Sequence, residues 1–466
     1  MSIIYGKSCT NNIFNDLSDV FVTYSTLLLS IALDKEDNLF LGNVGLVGFE
    51  PEETSPLGYI SILPNIDISY GTIFCPANQA TSLSGLDVSQ SISLPTSIAI
   101  DTNGTLFISS MDFNQQSKIC VLPRVDISLY GTDYSANIVS QLNVDCSGLG
   151  IITSLAIDEQ QNLFIGAGIV DGFIFFGEIN DISEGFVYVL PHTTTTLFGT
   201  ICPANILTQI AREVGSICRS IIFDSNKNLF VGFLSGSTNT EPNTLCGSLY
   251  IIPSSPPNVL TKLYDLGDIL PGKFAIDAYD NLFIGPGFLS VQRGVNQPLY
   301  ILPSQNTTLY GQYFPGNTLT SISGTGFDVN NILQITSGIA FDSHNNLFVS
   351  NNIDILYATI VVLPKEQNVS ASFSTPVFGY YYATEYTYLF TQSAIKQLVA
   401  GIPRRGEQLQ PFPPIGTPLR DLHRRIFAFG RNKLKTYEFH EVQRMDTLES
   451  GYLCVWAASG VSPSIV

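Results

Sequence analysis

The chain has 466 residues, 45% hydrophobic and only 13% charged, with a formal net charge of −18. Such a composition can bury a large core, which excludes a globally disordered chain. Residues 383–466 hold 10 Lys+Arg against 7 Asp+Glu (+3), leaving 11 against 32 (−21) for residues 1–382, and so acidic a body excludes recognition of a nucleic-acid backbone, which needs a basic face.

From the start of the chain, no apolar run reaches the ~18–20 residues of a membrane span. The best candidate, Val22 to Leu33, is interrupted by Thr23, Ser25, Thr26 and Ser30 and ends at Asp34. Lys7 is not followed directly by an apolar stretch, so no cleaved secretory signal is expected, and the sequons at Asn103, Asn306 and Asn368 carry little weight. From residue 31 onward one phrase recurs: IALDKEDNLFLG, IAIDTNGTLFIS, LAIDEQQNLFIG, IIFDSNKNLFVG, FAIDAYDNLFIG and IAFDSHNNLFVS. Its aspartates are Asp34, Asp101, Asp158, Asp224, Asp277 and Asp342, spaced by 67, 57, 66, 53 and 65 residues. Each copy predicts a β-hairpin: a short apolar strand, a tight turn in which the Asp side chain accepts from backbone N–H groups, and a returning Leu-Phe strand. The six aspartates are therefore expected to be structural turn residues.

A second phrase follows each copy, an apolar stretch ending in Leu/Ile-Pro or Val-Leu-Pro at Pro64, Pro123, Pro191, Pro253, Pro303 and Pro364. Proline there ends a third strand, where it need not donate to a ladder. A third phrase, Tyr/Phe-Gly, opens the next segment at Gly71, Gly131, Gly199, Gly311 and Gly379; the fourth copy departs, reading LYD from Leu263 to Asp265. Cys75 and Cys202 occupy the same place in FCPAN and ICPAN, where other copies have Tyr134 or Phe314, so they read as buried filler rather than metal ligands. Four strands per unit and six units predict an all-β fold, a six-bladed β-propeller with four antiparallel strands per blade. The six copies supply four strands each if Val377–Tyr382 is the last, and Asp19–Ser25 offers a strand to pair beside it and tie the termini together; the sequence leaves ring closure open between these.

The phrase apolar-Ala-apolar-Asp…Asn-Leu-Phe resembles the NHL repeat over residues ~20–385. That resemblance implies a platform for a protein or RNA partner, with lyases and lactonases among the wider six-bladed group. The companion phrase VLP…TTTTLFGTICPAN resembles repeat proteins of mimivirus-type giant DNA viruses. It implies a virally encoded protein located in the host cytoplasm or the virion.

After Tyr382 the pattern stops. Residues 386–466 are expected as a linker and basic C-terminal extension beyond a 1–385 propeller, with a short helix from Pro418 to Phe429 and the capacity to dock an acidic partner. Function is expected on the rim opposite the Asp turns, where the copies disagree. Its loops carry Phe49, Glu52, Glu53, Asp171, Phe173, Phe175, Phe176, Glu178, Asp181 and Glu241, together with Phe233, Phe288 and Glu184. Aromatics interleaved with acids suit a protein or glycan partner. No catalytic residue and no metal ligand is assigned. The alternative, a lyase- or lactonase-like enzyme with a divalent cation in the central channel, lacks a histidine set: His192, His344, His423 and His440 fall on no channel-facing loop, and there is no GxSxG, HExxH or phosphate-binding glycine motif.

Overall fold

The computed structural model describes residues 2–9, 15–17, 22–24, 26–45, 58–87, 91–112, 115–171, 181–236, 245–286, 298–322, 337–354, 357–365, 382–383 and 387–388. The chain divides into two compact units, Met1–Glu366 and Gln367–Val466. In the second, the described residues form one small hairpin, Tyr382–Ala383 with Thr387–Tyr388. The predicted tail helix lies outside the described residues.

The first unit is a six-bladed propeller. Its innermost strands are Thr26–Leu33, Leu94–Ile100, Ile151–Ile157, Ser216–Phe223, Pro271–Ile276 and Ile339–Phe341. Each pairs antiparallel with the Leu-Phe strand of its own repeat, which pairs with the strand ending before the repeat proline, which pairs with an outer fourth strand. No α-helix occurs among the described residues. Since each blade buries both faces against its neighbours, the core is divided into layers between blades. Phe107, Ile152 and Leu163 belong to the layer of blades 2 and 3, and Phe283, Ile339 and Leu347 to that of blades 5 and 6.

The repeated aspartate organises each first hairpin. Oδ1 of Asp277 accepts the backbone N–H groups of Tyr279 and Asn281, both at 2.9 Å, and Oδ2 accepts the Asn281 side-chain amide at 2.8 Å. Asn281 in turn accepts from the N–H of Ser304, just beyond the repeat proline, at 3.2 Å. The same clasp recurs at Asp34, Asp158, Asp224 and Asp342 with Asn38, Asn162, Asn228 and Asn346. Asp101 faces Thr105 instead: its Oδ1 accepts the backbone N–H groups of Asn103 and Thr105, and its Oδ2 accepts the Gln161 side-chain amide of blade 3 at 3.4 Å. Asp277→Ala leaves a buried Asn281 amide without its acceptor, and should cost about 2–4 kcal/mol in urea unfolding. Asp101→Ala strands no buried Asn amide, only the long contact from the half-buried Gln161 amide, and should cost about 1 kcal/mol less; equal losses would show that the Asn half of the clasp contributes nothing.

The ring, whose closure the sequence left open, is closed from the start of the chain. The outer edge of blade 6 is built from the other end of the chain: Asn15–Asp16 pairs with Val361 and Val362, and Val22–Tyr24 pairs with Tyr357–Thr359 of the Tyr357–Leu363 strand. Before it, Ser2–Ile4 and Lys7–Cys9 form a hairpin whose Tyr5-Gly6 turn has φ of 47° and 76°. The same turn occurs at Tyr130-Gly131, Phe198-Gly199 and Tyr310-Gly311. Asn15 pairs with Val362, two residues before Pro364, just as Thr81 pairs with Ile62, two before Pro64. The start of the chain thus supplies the second half of the sixth repeat, and Tyr5-Gly6 is its Tyr-Gly element. Gly379 and most of Val377–Tyr382 lie outside the described residues. Ile4, Tyr5, Cys9 and Leu17 are buried against Leu28, Leu41, Phe348 and Ile360, forming the layer between blades 6 and 1.

Two faces follow from the topology. The Asp turns and the Tyr/Phe-Gly hairpins share one face, here the turn face. The connections between second and third strands, and those between blades, share the other, the loop face.

Candidate functional site

Most of the loop-face residues singled out from sequence, Phe49, Glu52, Glu53, Phe173, Phe175, Phe176, Glu178, Glu241 and Phe288, lie outside the described residues. Asp171 and Asp181 are brought together: they end and begin neighbouring strands of blade 3 and stand opposite each other in the pairing. Phe233 is not a rim aromatic. It is 1% exposed and packs edge-on to Tyr250 at 5.2 Å, because its side chain falls on the core side of the strand. Glu184 pairs with Arg212 across the same sheet. His192 is spent structurally, its ring set against Tyr130 at 6.1 Å.

The described residues line an open cavity of about 290 Å³ in the central channel, formed by the inner strands of all six blades. The inner strands contribute the residues just before their Asp: Ser30 to Leu33, Ser97 to Ile100, Ser154 to Ile157, Ser220 to Ile222, Lys273 to Ile276 and Ser337 to Phe341. Towards the loop face the channel is filled. Leu27, Leu94, Ile151, Ile217 and Leu270 meet with Leu29, Met111 and Leu234 in an apolar cluster formed by several blades. The cavity therefore lies on the turn side of an apolar plug.

Between plug and cavity runs a belt of hydrogen bonds from blade to blade. It arises where the inner strands bulge, at Leu28/Ser30, Pro95/Ser97, Ile152/Ser154, Cys218/Ser220 and Pro271/Phe274. A bulge leaves backbone groups outside the ladder, and small hydroxyl side chains serve them. Five residues before the Asp, Thr96 donates to the Ile152 carbonyl at 2.7 Å, Thr153 to that of Cys218, and Ser337 to that of Leu28. Four residues before the Asp, Ser97, Ser154 and Ser220 accept the N–H groups of Leu155, Ile221 and Phe274 at 2.9–3.1 Å. Ser30 donates to the Pro95 carbonyl at 3.0 Å.

Blades 4 and 5 break this neutral belt. At the place of Thr96, Thr153 and Ser337, blade 4 has Arg219, only 9% exposed. At the place of Ser30, Ser97, Ser154 and Ser220, blade 5 has Lys273, whose ammonium reaches the Thr153 carbonyl of blade 3. Burial, then the adjacent Arg219 charge, holds Lys273 down to about 7. Burial likewise lowers Arg219 to about 10, and pushes the Cys218 thiol beside them up to about 12.

A divalent cation in this channel, the alternative that the sequence resemblance raised, needs oxygen or nitrogen ligands from acids, amides or imidazoles. The cavity wall offers Ser hydroxyls, aliphatic side chains, one Phe at each of two blades and a Lys. Among the described residues no three His, Cys, Asp or Glu side chains come together as a metal set. The donor set does not fit the metal, and the two cations would repel it.

Sequence reasoning missed Lys273 and Arg219 because both precede the conserved phrase. Counting back four residues from each Asp gives Ser, Ser, Ser, Ser, Lys and Gly, a signal that was readable in the repeats.

No protein-family model matches the sequence, and no curated protein matches it. Solved propellers are similar in structure. A luciferin-regenerating enzyme aligns with a TM-score of 0.42 and 11% identity over 75% of this chain and 94% of its own. A protein assigned as a gluconolactonase aligns at 0.39 and 11% over 76% and 93%. YCF48 bound to D1 peptide aligns at 0.37 and 9% over 75% and 93%. Among the described residues no helix is long and apolar enough to cross a membrane.

Proposed function

We propose that the chain is a non-enzymatic scaffold that holds a protein partner on its propeller. One observation carries this reading. The second strand of the small hairpins turns its outer residues into the core and its middle residue outward, and that middle residue is Phe74, Ile201 or Tyr313, exposed at 59%, 72% and 62%. Blade 2 has Asp133 at the same place, so the hairpin does not need an apolar residue there to form. Val125 and Ile206, also exposed, flank these hairpins in blades 2 and 3. Repeated apolar side chains on one face suit contact with another protein, in which aromatic and branched aliphatic anchors dominate. The variable loop rim, with Asp171 and Asp181 at one mouth, is a second contact surface in this reading.

The triple variant Phe74→Ser, Ile201→Ser, Tyr313→Ser should unfold at the same urea midpoint within about 0.5 kcal/mol per site, since exposed positions carry little stability. It should lose the proteins that cross-link to the wild-type propeller in an extract of its source cells. Retention of the same cross-linked proteins would refute the hairpin surface. Selective binding to a glycan array by both forms would replace a protein partner with a carbohydrate.

A further inference from the structure

Six copies of one structural position provide an internal control. Four residues before the Asp, Ser97, Ser154 and Ser220 each accept an N–H group of the next blade, so a small hydroxyl is sufficient for the belt there. Blade 5 alone carries an amine at that position. Lys273 does not repeat the serine contact: its Nζ reaches past blade 4 and donates to the Thr153 carbonyl of blade 3. It is also the single ionisable side chain lining the channel cavity of about 290 Å³, whose other wall residues are Ser, Gly, Ala, Ile, Leu and Phe. The apolar plug closes the loop-face end, so this space, well beyond a single water, is entered from the turn face. A lysine amine in a largely apolar pocket is a nucleophile, because burial favours the form with a free lone pair. Lys273 follows that rule, held down to about 7 mainly by burial. Near pH 7.5 most of it is neutral, against roughly one part in a thousand for an ordinary lysine.

We propose that the channel cavity captures a small aliphatic aldehyde as an imine on Lys273. The neutral amine attacks the carbonyl carbon, and the C–N bond forms as the C–O π pair moves to oxygen. The two hydrogens of the amine then leave with that oxygen as water, and the nitrogen lone pair completes C=N; nothing is oxidised or reduced. Ser154 and Ser220 use their hydroxyl oxygens to accept backbone N–H groups, and each keeps an O–H to donate in the cavity it lines. The aliphatic wall suits a short hydrocarbon chain. This site is independent of the hairpin surface, and its failure would leave that reading untouched.

The experiment incubates the full chain at pH 7.5 with butanal and sodium cyanoborohydride, which reduces the imine to a stable butylamine. Peptide mass spectrometry then locates the butyl groups. The chain has ten lysines, and the other nine serve as internal controls. Lys273 should be butylated about tenfold faster than any of them, or more, as its larger neutral fraction allows. Its rate should saturate with butanal, because the cavity fills before the bond forms. In urea the ten lysines should react alike, since the selectivity belongs to the folded channel. Lys273→Met should lose the fast butylation and keep the slow ones; if that variant fails to fold, the wild-type comparison decides alone. Uniform labelling of the folded chain, an unlabelled Lys273, or a Lys273 rate that rises in strict proportion to butanal would each overturn the proposal.

Discussion

Deleting residues 1–24 will abolish cooperative folding of the propeller, although the deleted segment contains none of the six Asp-Asn phrases. It removes a hairpin, the outer strand of blade 6 and four buried side chains, Ile4, Tyr5, Cys9 and Leu17. At about 1.5–3 kcal/mol for each large apolar side chain, the loss is roughly 5–10 kcal/mol, comparable with the whole stability of a typical domain. It also removes a tie between blades, the 2.7 Å hydrogen bond from the Tyr5 hydroxyl to the Asp37 carbonyl of blade 1. Its counterpart in blade 2 joins Tyr130 to Gln161 at 2.8 Å. A permuted chain in which residues 1–24 follow Lys365 through a short linker should recover a single cooperative urea transition, because the same strands then close the same sheet. A deletion that still unfolds cooperatively at the wild-type midpoint would show that the N-terminal segment is dispensable.

Lys273→Met should stabilise the protein, with a gain that depends on pH. Burial first, and then Arg219, holds Lys273 at about 7 against an ordinary 10.5. Between those values the unfolded chain keeps a proton that the folded chain has released, so stability rises with pH across the window. The full penalty applies at and below about pH 7 and is gone above 10.5. Three and a half pH units correspond to an upper bound of about 5 kcal/mol. Lys273 retains partial contact with channel solvent, so a gain of about 1–3 kcal/mol at pH 6 is the expected size. Urea unfolding of both proteins at pH 6, 8 and 10 measures it. The gain should shrink steadily with pH, whereas a gain of constant size would trace to packing of the Met side chain and not to the buried charge.

The propeller was legible because its turn chemistry is repeated. An Asp that serves two backbone N–H groups and an Asn four residues later that ties the turn to the third strand leave the same letters in nearly every copy. Ring closure was harder to read. The segment IIYGKSC keeps the Tyr-Gly turn and the buried Cys9, but it has lost the Pro-Ala-Asn that marks the hairpins at Cys75 and Cys202, and no Leu-Pro precedes it. The strands that follow it, Asn15–Asp16 and Val22–Tyr24, pair with a strand some 340 residues away, and strand pairing over such a separation leaves no local pattern. The channel pair was hidden for the opposite reason. Arg219 and Lys273 are departures from a repeat, and a search for what the copies share passes over them. Phe233 misled because a strand alternates its faces, and the length of the Leu229–Ser235 strand decides which side a residue near its end takes.

The borrowed strand of blade 6 also has a consequence in time. Val22–Tyr24 emerges early in synthesis, and its partner Tyr357–Thr359 emerges about 335 residues later. At the ~5–20 residues per second of translation, that wait lasts roughly 17–70 s. Throughout it, five blades can stack in order behind the ribosome while both edges of the growing arc remain open. The Tyr357–Leu363 strand is then the one that converts an open stack into a closed ring, so the propeller gains its final cooperativity in a single late step.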